Sequence, residues 1–178
     1  FKRFDMEVFD VEKVDVHGGS IRVFVKKKEG KFKRTSAVTQ FLNKEKKEKL
    51  HKVQTFLNYR NDILKNRMKL IDLLTRTKLE GKSVAAYGAP AKGNTILNFF
   101  GIGPELIDFV VDDSTWKQNL FSPGKRIPVV PSSELYKKKP DYLLILAWNF
   151  SSSIMKNHDK YKKLGGHFIV PVPSPKII

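Results

Sequence analysis

Ser83-Val84-Ala85-Ala86-Tyr87-Gly88-Ala89-Pro90-Ala91-Lys92-Gly93-Asn94-Thr95 is the stretch that decides the fold. Ser83 to Tyr87 is a short run without polar alternation, as in a strand covered on both faces. Gly88 and Gly93 bracket a proline, a turn signal, and Asn94 to Phe100 then takes up helical spacing. At such a turn the helix N-terminus offers free N–H groups and the positive end of its dipole. Gly88 suits a sharp turn after which Ala89 leads on, Gly93 lets the helix begin close to a ligand, and Lys92 adds a cation. Asn94 or Thr95 would cap the helix or donate to an oxygen. The spacing is neither G-x-G-x-x-G nor a Walker loop, which argues against a dinucleotide fingerprint and an ATPase. Two uses remain open from spacing alone: an anion-facing loop, or a tight turn whose glycines serve packing.

Downstream, strands and helices alternate. Leu106 to Val111 is a second strand ending in Asp112-Asp113, Ile127 to Val130 a third, and Tyr142 to Trp148 a strongly apolar fourth. Ser132 or Ser133 is placed to cap a short helix carrying Leu135 and Tyr136. Ser151 to Leu164 is a helix with Ile154, Met155, Tyr161 and Leu164 inward, and His167 to Val172 is the last strand. The expected fold is α/β: a Rossmann-like parallel sheet with helices on both faces. Ligands bind such sheets at the carboxyl ends of the strands. Asp112 lies there, about 20 residues beyond the glycine turn, where an acid holds a ribose hydroxyl in dinucleotide folds. It serves equally as a turn or cap aspartate. Lys117 follows on the same edge. Trp148 and Asn149 leave the fourth strand there, either to stack on and hydrogen-bond a base or sugar, or as a core residue and an N-cap.

Upstream, Val8, Val11, Val14 and Val16 lead into His17-Gly18-Gly19-Ser20, and Ile21, Val23 and Val25 then alternate with Arg22, Phe24 and Lys26. This reads as an antiparallel hairpin, which needs something to pack on. Glu29 to Thr39 reads as a basic loop. From Gln40 to Leu79 a helical stripe of Leu50, Val53, Leu57, Leu64, Ile71 and Leu74 forms one long helix, or two broken near Asn58 and Asn61, with Gly81 ending it. The expected divisions are therefore 1–39, 40–80 and 81–178.

Lys and Arg number 34 against 18 acids, a formal charge of +16. Such a surface attracts polyanions, so a basic nucleic-acid-binding module stands as the alternative function, although no reader motif or interleaved aromatics accompany the charge. The chain has no Cys, which excludes disulfides and thiolate metal sites and fits a cytoplasmic setting. No apolar run approaches the roughly 20 residues of a membrane span, and no h-region follows the N-terminal charges. A start at Phe1 rather than Met fits a processed or truncated piece. His51, His158 and His167 are scattered and read as surface residues. No metal spacing or Ser-His-Asp order stands out.

Asp15-Val16-His17-Gly18-Gly19-Ser20-Ile21-Arg22, Tyr87 to Thr95, Ile107 to Asp112 with Lys117-Gln118 and Ser122-Pro123-Gly124, Pro140 to Phe150, and Gly165 to Pro171 occur in that order. The set resembles the C-terminal region of the S-adenosylmethionine-dependent C-methyltransferases of nucleotide-linked deoxysugars, from Val11 onward. The resemblance implies a small zinc-binding region, then a methyltransferase domain, then a Rossmann-like C-terminal domain. The nucleotide-sugar, dTDP-linked by expectation, lies between the last two. A base takes a proton beside a keto group and the enolate attacks the activated methyl. It further implies that residues 1–39 carry the closing hairpin of a truncated methyltransferase domain, with His17 and Arg22 at an interface. Gly88, Ala89, Lys92, Gly93, Asn94, Thr95, Asp112, Lys117, Trp148 and Asn149 would then face the substrate. This chain lacks the zinc cysteines, the glycine-rich cofactor loop and the region supplying the base. Cofactor-free itself and inactive alone, it would work with N-terminal domains of the same protein and with no specific nucleic acid or membrane.

Overall fold

The computed structural model describes residues 1–178. They divide into two compact units, Phe1–Asn61 and Asp62–Ile178.

In the first unit, β1 (Met6–Val14) and β2 (Ser20–Lys27) pair antiparallel. Their register shifts between Val8 and Asp10, so Phe9 is an extra, bulged residue. Phe9 stacks on Phe32 at 4.9 Å. The Thr35 N–H donates to the Phe9 carbonyl at 2.8 Å and its hydroxyl to Asp10 Oδ1 at 2.6 Å. These bonds fix the start of α1 (Ser36–Lys47), which packs on β1 with Val38 and Val11 buried. Beside them Met6, Val11, Ile21, Val23, Val38 and Phe41 line an open, largely apolar groove of about 520 Å³.

The expected 40–79 helix is two helices, α1 and α2 (Val53–Leu79), and the break falls at residues 48–52 rather than at Asn58 or Asn61. Lys49 turns the chain there with a φ of 57°. The start of α1 lies inside the stretch expected as loop. Of the expected stripe only the C-terminal part is inward: Leu74 is buried and Ile71 packs against the core, whereas Leu50, Val53 and Leu57 are exposed. Gly81 ends α2 as expected, with the Lys82 N–H on the Thr77 carbonyl and the Gly81 N–H on the Lys78 carbonyl, the two bonds of a Schellman motif.

The second unit is a mixed, mostly parallel sheet between helices. Its order is β5 (Val129–Val130), β4 (Val110–Val111), β3 (Val84–Tyr87), β6 (Tyr142–Ile145), β7 (His167–Val170) and β8 (Lys176–Ile177). All pairs are parallel except β7 with β8. Pleating sends Val84 and Ala86 to one face, against α2 and α3 (Ala91–Phe100), which contribute Leu70, Leu74, Ile96, Leu97 and Phe100. Ala85 and Tyr87 face α4 (Ser133–Lys138), α5 (Ser151–Asn157) and α6 (Asp159–Lys163), which bring Leu135, Ile154 and Tyr161. The second and third strands are shorter than expected, and Leu106 lies in a turn. Backbone bonds from Asp108 to Val84 and from Ala86 to Phe109 nonetheless extend the β3–β4 ladder. The 151–164 helix is likewise two, broken at His158, and Leu164 is exposed. At the amino ends of the strands, Asp141 accepts from the Ser83 N–H and hydroxyl, and Asp108 from the Val84 N–H. No helix is long and apolar enough to cross a membrane.

Candidate functional site: the crevice between β3 and β6

The chain leaves β3 toward β4 on one side, and β6 begins the other half of the sheet on the other. Their carboxyl ends flank the topological switch point, where open α/β sheets bind ligands. Gly88 turns the chain out of β3 with a φ of 86° while its N–H holds the Val111 carbonyl at 2.7 Å. A Cβ on Gly88 would sit 3.1 Å from Ala147 Cβ, and one on Gly93 would sit 2.9 Å from Leu146 Cβ. The two glycines therefore let the turn and the first turn of α3 close onto the end of β6.

That approach brings Lys92 and Trp148 together. The Lys92 ammonium lies 4.9 Å from the Trp148 ring centroid and 5.5 Å from that of Phe150, a cation–π contact that holds the charge in place. Trp148 is half-buried, with one side packed against the core. Asn149 sits in the 3-10 turn Trp148–Phe150 and does not cap α5, whose N-cap position is Phe150. Asn94 and Thr95 do not cap either. α3 starts at Ala91 with Pro90 at the cap position and no side-chain cap. Proline needs no N–H there and pre-sets the entry, so the helix begins three residues before the periodicity does. Ala91, Lys92 and Gly93 thus present N–H groups without intrahelical acceptors. The Thr95 hydroxyl returns to the Ala91 carbonyl at 3.1 Å. Asn94 Oδ1 is enclosed and receives no donor from the protein.

Asp112 is built into the turn. It is only 7% exposed. Its Oδ2 accepts from the Ala89 N–H at 2.7 Å and from Lys117 Nζ at 3.2 Å, and its Oδ1 accepts from the Ser114 N–H at 2.9 Å. The carboxylate thereby ties the Gly88 turn to the loop after β4 and holds Lys117 beside it. The adjacent Asp113 is exposed and accepts the Tyr87 hydroxyl.

His158 is not a surface residue: it is 8% exposed. Its ring meets Tyr87 edge-on at 4.8 Å, and Nδ1 is 2.9 Å from the Tyr136 hydroxyl. Burial pushes its pKa down, with the Asp113 charge opposing. Burial, then the hydrogen bond to Asp113, pushes the Tyr87 phenol well above its usual range, so Tyr87 remains a neutral donor. No periodicity marks this Asp113–Tyr87–His158–Tyr136 cluster in the sequence; its members come from four separate segments. In the first unit, His17 lies in the hairpin turn with a φ of 54°, and Arg22 pairs with Glu12 at 2.5 Å.

The groups gathered at the crevice are N–H donors, two lysines and an aromatic face, suited to binding and orienting an anion beside a planar group. The profile of the C-methyltransferase C-terminal domain matches residues 15–173. The chain belongs to the C-methyltransferase C-terminal domain family. C-methyltransferase NovU of Streptomyces niveus is 35% identical over all 178 residues. This C-methyltransferase C-terminal domain spans 42% of that protein's length.

Proposed function

We propose that the crevice between β3 and β6 holds the nucleotide-linked sugar of an S-adenosylmethionine-dependent C-methyltransferase, and that these 178 residues do not methylate alone. The observation that carries this is the convergence of α3's uncapped N-terminus, Lys92 on the Trp148 ring and Lys117 on Asp112 at one switch point. The diphosphate would lie against the N–H groups of Ala91 to Gly93 and the Lys92 ammonium, with Gly88 and Ala89 beneath it. A hydroxyl donated to Asn94 Oδ1 would satisfy a buried acceptor whose isolation costs about 1–3 kcal/mol. Trp148 and Asn149 would border the sugar. Asp112 would act through the turn it holds, and Thr95, whose hydroxyl returns to the Ala91 carbonyl, through the first turn of α3.

Residues 1–39 would be the closing hairpin of the methyltransferase domain, 40–80 the connection and 81–178 the C-terminal domain. The apolar groove on the hairpin supports this, since a two-stranded sheet gains stability by packing further. His17 and Arg22 would then border that interface. S-adenosylmethionine supplies the methyl group when bound elsewhere on the polypeptide. No group of three His, Cys, Asp or Glu side chains here fits a metal, so these residues do not fit the implied zinc.

Calorimetry with dTDP and other nucleoside diphosphates, on this chain and on the full-length enzyme, tests the proposal. Saturable binding to both is expected. No binding to either at millimolar ligand would sink it.

A further inference from the structure

Trp116 is 89% exposed, an unusual position for the side chain with most to gain from burial. The loop that carries it is not slack. The Ser114 N–H bonds Asp112 Oδ1 at 2.9 Å, the Lys117 N–H bonds the Ser114 carbonyl at 3.0 Å, and Gln118 Nε2 bonds the Asp112 carbonyl at 3.0 Å. The Asn119 N–H then joins the Val129 carbonyl at 2.9 Å. Four hydrogen bonds thus hold a short loop whose apex presents an indole to solvent, next to a lysine anchored on the carboxylate that ties the Gly88 turn. An exposed apolar side chain on a rigid support is the arrangement of a preorganised binding group, with the ordering cost met before the ligand arrives.

Given the nucleotide-binding function proposed for the adjacent crevice, we infer that Trp116 is the stacking platform for the nucleobase. The indole offers a flat π-face to a flat base, and Lys117 beside it supplies charge toward the phosphates. Stacking on an aromatic face tolerates any base, so Trp116 contributes affinity for a nucleotide over a bare diphosphate and little discrimination between bases. The arrangement separates two parts of one ligand. The Gly88 turn and Lys92 take the phosphates; Trp116 takes the ring.

The test compares wild type, Trp116→Ala and Trp116→Phe by calorimetry with dTDP, UDP and inorganic pyrophosphate. Trp116 packs against little, so both variants should fold, which circular dichroism checks. Trp116→Ala should weaken dTDP and UDP roughly tenfold, leave pyrophosphate unchanged and abolish the advantage of nucleotide over pyrophosphate. Trp116→Phe should recover most of the loss. Wild type that binds nucleoside diphosphates with no change in Trp116→Ala would overturn the stacking platform while leaving the crevice's function standing. Wild type that binds none of the three ligands would overturn both.

Discussion

Asp112→Asn separates a carboxylate that builds the turn from one that only meets a ligand. The side chain is enclosed and accepts two backbone N–H groups and one ammonium. Asparagine keeps the shape but replaces one oxygen by an NH₂ group, which must then face Ala89 or Ser114 donor to donor. The loss is about one charge-assisted hydrogen bond, roughly 1.5–3 kcal/mol, with one buried N–H left unpaired. The Lys117 pair adds less, under about 1 kcal/mol, because the lysine is well solvated. A net loss of about 2 kcal/mol corresponds to roughly 4–8 °C in Tm for a chain of this size. The assay is urea and thermal unfolding without any ligand, supported by loss of nucleotide binding. Unaltered ligand-free stability in Asp112→Asn would refute the tie and return Asp112 to a direct role on the ligand.

Three further outcomes are expected. The Ser83 N–H, then its hydroxyl, hold the Asp141 carboxyl below the usual range, with burial opposing; a depressed acid stabilises above its unfolded value near ~4 and loses that contribution as pH falls through the lower folded value. Asp141→Asn should therefore lower stability at neutral pH and flatten the acid limb of the unfolding curve. Burial lowers His158 below its unfolded value of about 6.5, so the unfolded chain takes the proton first and stability falls as pH drops below that value; urea unfolding from pH 5 to 8 should show this slope in wild type and not in His158→Gln. Gly88→Ala combines a φ of 86° with a Cβ 3.1 Å from Ala147 Cβ; it should cost about 1–3 kcal/mol by unfolding and weaken nucleotide binding, because the turn must lift off β6.

The β3–turn–α3 unit is legible in sequence because a fully apolar run, two glycines and a helical spacing agree on one answer. The resemblance implies a shared site for Lys92 and Trp148, but their contact depends on strand order, which no local pattern encodes. The start of α3 is not marked in the sequence, because Pro90, which opens the helix, reads equally as a turn residue. The split between α1 and α2 was hidden since Lys49 takes the left-handed conformation without a glycine to announce it. Asp112 was ambiguous for a physical reason. A spacing of about 20 residues suits both a ribose acid and a turn acid, and the three donors around it come from Ala89, Ser114 and Lys117, which the spacing does not bring together. His158 was invisible because its burial comes from Tyr87 and Tyr136, both distant in sequence.

The most direct measurement of the central claim is a crystal structure of the chain with dTDP bound. The diphosphate is expected against the N–H groups of Ala91 to Gly93 with the Lys92 ammonium on it. A nucleotide bound elsewhere, with that turn untouched, would contradict it.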